Sequence, residues 1–276
     1  MSLRSHLVPV LACLLAVGQG VAAEPPGDTT LFRRYIALDG AVQRAGREVA
    51  ARRFEEAQRL LEPCLTQVPD HFEAHYLLAR MAYEARDFTG ALVHVERSER
   101  SLADLDHRYR EEMAALKAEA EAEEVATRAS LDYLYARGAD PGSCSAILFQ
   151  VKRNALEFLE AKKGHLNDRE NPFGVPADYR FLHGNCLYRL GRRAEALGQY
   201  RLAVEQDRAH ANAWNNLISL QWEAKAYAQA HADLVRAETL RISIRPDLKK
   251  AVLEAAAAVS SGTGQAGAPP ALVDPH

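Results

Sequence analysis

Short catalytic signatures are missing from this 276-residue sequence, which holds no Gly-rich phosphate loop, no GxSxG elbow and no HExxH. Each absence removes a reaction class that local spacing would betray: phosphate cradling, serine hydrolysis, zinc proteolysis. An excess of one charge is missing too. With 34 Lys and Arg against 37 Asp and Glu, and a net charge of -3, no bulk field draws the chain to nucleic acid or an anionic membrane. Lysine is scarce at seven residues, so the cations are mostly arginine. Cysteine is scarce at four, and no pair has CxxC spacing.

What is present begins with an N-terminal pattern. MSLRSHLVPVLACLLAVGQGVAA has a basic start at Arg4, an apolar run from Leu7 to Val17, then Val21-Ala22-Ala23 before Glu24. That layout predicts a secretory signal peptide over 1–23, leaving an exported, periplasmic or secreted chain. The run is short of the about 20 apolar residues that span a bilayer, so no transmembrane segment is expected after cleavage. Val10-Leu11-Ala12-Cys13 is similar to a lipoprotein processing site, but the apolar run continues past Cys13. The mature chain keeps Cys64, Cys144 and Cys186, an odd number read as small buried apolar residues.

The rest of the chain repeats. Gly184, Ala196, Tyr200 and Ala203 fall on Ile218, Ala230, Leu234 and Ala237 at an offset of 34. Phe54, Ala57, Leu61 and Pro69 fall on Phe88, Ala91, Val95 and Ala103 at the same offset, and Ala45 falls on Ala79. Small residues at a helix crossing let two backbones approach, and a larger side chain there costs about 1–3 kcal/mol in overpacking. One helix pair cannot bury both of its apolar faces, so such units must stack.

This pattern resembles the tetratricopeptide repeat family, whose unit is two antiparallel helices in 34 residues. Trp214, Leu217, Tyr227, Ala230 and Ala237 match its fourth unit, and Gly184, Ala196, Tyr200 and Ala203 its third. Arg180 and Arg193 depart from the large and aromatic residues of positions 4 and 17, Arg44 from a leucine, and Cys64 and Ser98 from alanine at position 27. The resemblance implies an all-α, helix-turn-helix repeat solenoid, with paired units over 38–105 and 177–244 and a lead-in over 24–37.

Between the pairs, 106–176 is expected to be helical, as degenerate repeats continuing one superhelix or as a hinge between two lobes. His107–Gly138 lacks Pro and internal Gly and predicts one long exposed helix or two barely separated ones. Asp140-Pro141 reads as a further helix start, and Gly164–Pro176 as a loop. Residues 245–260 read as a capping helix, and 261–276 as a disordered tail.

By the family's geometry, unit positions 5, 9 and 12 line the concave groove. They hold Tyr76, Arg80 and Tyr83; Phe181, Asn185 and Tyr188; Asn215, Ser219 and Trp222, with Asn216 beside them. Aromatic faces and amides suit an extended peptide backbone. The expected function is binding a protein or peptide in this groove, without catalysis, cofactor or nucleic acid. An alternative is self-association within a cell-envelope assembly through the 107–137 helix, and the oligomeric state stays open. A carboxylate clamp would use Asn185, Asn216 and Lys250, but Phe181 and Pro246 stand where it needs lysine. His71 with His75, and His183 with Cys186, have pairwise metal spacing without a third ligand, so no metal site is expected.

Overall fold

A computed structural model describes residues 29–136, 148, 150–157, 159 and 174–261. The proposed signal peptide, Cys13, the Asp140-Pro141 helix start, Cys144, most of the 164–176 loop and the tail beyond Ser261 lie outside the described residues. Among those described, all regular structure is α-helical. The helices are α1 (Thr29–Ala50), α2 (Phe54–Gln67), α3 (Phe72–Glu84) and α4 (Phe88–Ala136). After the middle segment come α5 (Ala177–Arg189), α6 (Arg193–Gln206), α7 (Ala211–Glu223), α8 (Tyr227–Thr239) and α9 (Pro246–Ser261).

Each turn between the two helices of a unit is built alike. Arg52, Arg86, Gly191 and Lys225 take left-handed φ values of 58°, 61°, 78° and 58°. One residue later a backbone N–H reaches back to the helix: Asp87 to Ala82, Arg192 to Leu187 and Ala226 to Gln221, each 2.9 Å. These are Schellman turns, in which a left-handed residue satisfies carbonyls the helix end would leave bare.

The small positions are buried as the packing requires. Ala57, Ala91, Ala196 and Ala230 each show 0% exposure at position 20. Opposite Gly184, a Cβ would meet the Tyr200 ring at 2.6 Å, so glycine is the residue that admits a tyrosine there. Where the family alanine is absent at position 27, Ser98 donates its hydroxyl to the Phe72 carbonyl at 2.8 Å, and Cys64 its thiol to Leu60 at 3.3 Å. Both hydrogen bonds satisfy polar atoms inside a packed crossing.

Two compact units divide the chain. One holds residues 33–102 together with 175–261, and the other holds 29–32 and the described residues of 103–174. Both repeat arrays therefore lie in the same unit, where α3 packs on α5, followed by α6, α7, α8 and α9 in order. The third repeat packs on the second although 71 residues separate them in sequence. Nor does the sequence boundary at 105 coincide with a helix end: α4 runs unbroken for 49 residues. No proline or glycine falls between Gly90 and Gly138 to stop it, and Asp106–Arg110 and Glu124–Arg128 add i,i+4 ion pairs along its surface.

Candidate protein-binding face

The side chains at positions 5, 9 and 12 come from the first helix of each unit, and most are already occupied within the protein. Asn215 donates to the Ala211 and Ser243 carbonyls at 2.8 and 3.1 Å and accepts from the Arg245 N–H at 2.9 Å. It thereby pins the strap that leads into α9. Trp222 donates its indole N–H to Ala251 of α9 at 3.2 Å, and is 5% exposed. Asn216 donates to Asn185 at 2.9 Å, and Asn185 also accepts from the Tyr200 hydroxyl at 2.6 Å. The two amides that a carboxylate clamp would employ are thus tied to each other inside the protein. Phe181 and Ser219 are buried. Tyr188 donates to Glu223 at 3.0 Å, and Tyr83 accepts from Arg189 at 3.3 Å.

Tyr76 and Arg80 differ. They lie one turn apart on α3, both half-buried, and among the described residues neither the Tyr76 hydroxyl nor the Arg80 guanidinium has a hydrogen bond or ion pair. The Tyr76 ring stacks on Tyr179 of the third unit with centroids 3.8 Å apart and planes 10° from parallel. Burial pushes both phenols up, so each stays a neutral donor. Near them Glu73 is pushed up to about 7 by burial and by Asp39, while Asp178 is held down by a hydrogen bond from His210.

Two of the three arginines that break the repeat pattern, Arg180 and Arg193, prove to be substitutes. In the second and fourth units an aromatic at position 12 meets an aromatic at position 17: Tyr83 with Phe88 at 5.2 Å, Trp222 with Tyr227 at 5.9 Å. In the third, the Arg193 guanidinium lies 5.7 Å from the Tyr188 ring centroid and 3.5 Å from Glu223. A cation–π contact takes the place of the ring pair. Arg180, at position 4, instead bonds Glu99 at 2.8 Å and Gln199 at 3.3 Å, with His183 3.2 Å from the same Glu99 oxygen. This partly buried charged latch fastens the second unit to the third. Glu99, Gln199 and His183 have no marker in the sequence, whereas Arg180 did: a cation in an apolar position calls for a buried counter-charge.

His71 and His210 close their units as helix caps, accepting from the N–H of Ala74 at 3.4 Å and of Ala213 at 3.1 Å. Burial and neighbouring His75 bring His71 down to about 4, so it caps as a neutral ring. His183 is engaged by Glu99, and among the described residues no three His, Cys, Asp or Glu side chains cluster to hold a metal. Cys64 and Cys186 are free, buried thiols, the latter pushed up to about 12 by burial and therefore unreactive.

A stack of helical hairpins with phased small residues at every crossing defines the molecule as an all-helical repeat protein. The chain matches the family model described as tetratricopeptide repeat over residues 42–106 and 181–242, just under half its length and the two segments that hold the arrays. A solved thermophilic TPR protein of Thermus thermophilus is similar at 18% identity and a TM-score of 0.31, with 80% of this chain and 99% of that one covered. No curated protein matches the chain. Repeats of this family generally mediate protein–protein interactions.

Proposed function

We propose that the chain is an exported interaction module that binds a protein or peptide segment on the face of α3 carrying Tyr76 and Arg80, and that it acts by binding and not by catalysis. The supporting observation is that neither the Tyr76 hydroxyl nor the Arg80 guanidinium has a hydrogen bond among the described residues, a lack shared by the fully buried Nδ2 of Asn185, while the other polar groove side chains are engaged within the protein. A half-buried arginine beside an aromatic floor, which holds no hydrogen bond and acts on Asp178 at a distance, suits a carboxylate on the partner. Trp222, by contrast, packs under α9, so Trp222→Ala removes core packing and is no clean probe of binding. Export is supported by the Arg4, Leu7–Val17 and Val21-Ala22-Ala23 pattern.

A photo-crosslinking residue placed in turn at Tyr76 and at exposed Val93 tests the reading in cells. Adducts are expected from position 76, absent from position 93, and lost on adding Arg80→Glu. Equal adducts from both positions, or adducts indifferent to Arg80→Glu, would refute it.

Self-association is favoured by a separate observation: Val125 and Tyr135 of α4 are 69% and 68% exposed. It predicts a sedimenting mass that rises with concentration and falls back to the monomer on Val125→Lys.

A further inference from the structure

We propose that the contact between His75 and His94 is a proton-operated catch joining α3 to α4, closed while one hydrogen lies between the two rings and opened when both rings are fully protonated. The tautomers follow from the partners. His75 Nε2 stands 2.8 Å from the Pro69 carbonyl oxygen, which can only accept, so this nitrogen carries the hydrogen. In the neutral ring its Nδ1 is then a lone pair. That lone pair faces His94 Nδ1 at 3.1 Å, and a hydrogen bond between two nitrogens needs one hydrogen, which must come from His94. His94 is therefore the Nδ1–H tautomer, with Nε2 left as its basic atom. The rings lie 5.3 Å apart at 21°, His75 buried and His94 half-buried.

Successive protons have opposite effects on this geometry. The first adds to His94 Nε2, leaves the shared hydrogen in place and makes the donor cationic, which strengthens the bond. The second has only His75 Nδ1 to occupy, and sets two N–H groups and two positive charges against each other. The charged groups around the pair are Arg97, Asp70, Asp87 and His71. Arg97 is bound to Asp70 at 2.6 Å, and the Asp87 carboxylate accepts from the Gly90 N–H at 2.9 Å. Burial, with Arg97 adding to it, holds both imidazoles below the ordinary histidine range. The catch therefore stays shut at neutral pH and opens on acidification. His75 lies one residue before Tyr76, so opening loosens the start of α3 whether or not that face binds a partner.

The full chain labelled with 15N at histidine, followed by long-range 1H–15N spectra from pH 8 to pH 4, tests this. At pH 8 His94 is expected to carry its hydrogen on Nδ1 and His75 on Nε2, and the pair to titrate in two coupled steps. Once corrected for intrinsic exchange, amide exchange at the start of α3 should stay level above the ordinary histidine value, rise by up to about tenfold per pH unit as pH falls toward the second step, and level off below it. His94→Asn keeps a donor but cannot be protonated, and should level the exchange profile. Two Nε2–H tautomers titrating independently, or a profile unchanged by His94→Asn, would overturn the proposal.

Discussion

Gly184 and Tyr200 show how one residue sets the fit of a whole unit. The Tyr200 ring lies where a Cβ on residue 184 would be, at 2.6–2.7 Å from two ring carbons, and its hydroxyl is fixed by Asn185 at 2.6 Å. Gly184→Ala is therefore expected to destabilise the protein by about 1–3 kcal/mol in chemical denaturation. Adding Tyr200→Leu, the residue type that Leu234 supplies one unit later, should recover part of the loss; equal stability of the Gly184→Ala variant and the parent would contradict the packing. Sequence showed that a small residue belongs at 184 but not that its partner is a ring. Glu73 is a second case, invisible in sequence because its burial is tertiary. Its carboxyl has a folded value of about 7 against an ordinary 4.5, so its contribution to stability is intact below the lower value and lost as pH rises through the upper. His71, with a folded value of about 4 against 6.5, has the opposite slope: its contribution is intact above 6.5 and lost as pH falls through 4. The two offset each other in the parent protein, and a substitution separates them. Glu73→Gln should stabilise at pH 8 by roughly 3 kcal/mol and leave pH 4 unchanged, and an equal effect at both values would refute the assignment.

Elements were legible where local chemistry decides them. The 34-residue offset of small and aromatic residues locates the repeated helices because packing at a crossing depends on side-chain size alone. The turns were less visible. Four occupy the same place in their units, yet three have Arg or Lys where the backbone turns left-handed, and only Gly191 has the residue that conformation favours. Lys225→Gly should raise the melting temperature, with a gain of about 0.5–1 kcal/mol, whereas Gly191→Ala should lower it by a similar amount. Identical signs for the two variants would mean that the turns are not equivalent. The length of α4 was half legible. An unbroken run without Pro or Gly was evident from residue 107, but its union with the second unit's helix was obscured by the repeat boundary, which marks where packing changes and not where the backbone does.

At the scale of the whole molecule, the order of the repeats was beyond sequence spacing. Nothing in the 71 residues between the arrays announces that α5 returns to α3, and the groups that bring it back are tertiary: Arg180 on Glu99 and Tyr179 on Tyr76. The concave-face stripe was legible as positions; its occupancy was not, since α9, the 243–245 strap and the amide pair fill it from distant segments. What remains open around Tyr76 and Arg80 depends on the junction between the second and third units, and that junction is the claim on which the account rests. Photo-oxidative tyrosine coupling of the unmodified protein, read by mass spectrometry of the joined peptides, tests it most directly. Stacked rings 3.8 Å apart should give an intramolecular Tyr76–Tyr179 dityrosine as a leading product. Coupling among other tyrosines with no 76–179 product would show that the third repeat does not lie on the second.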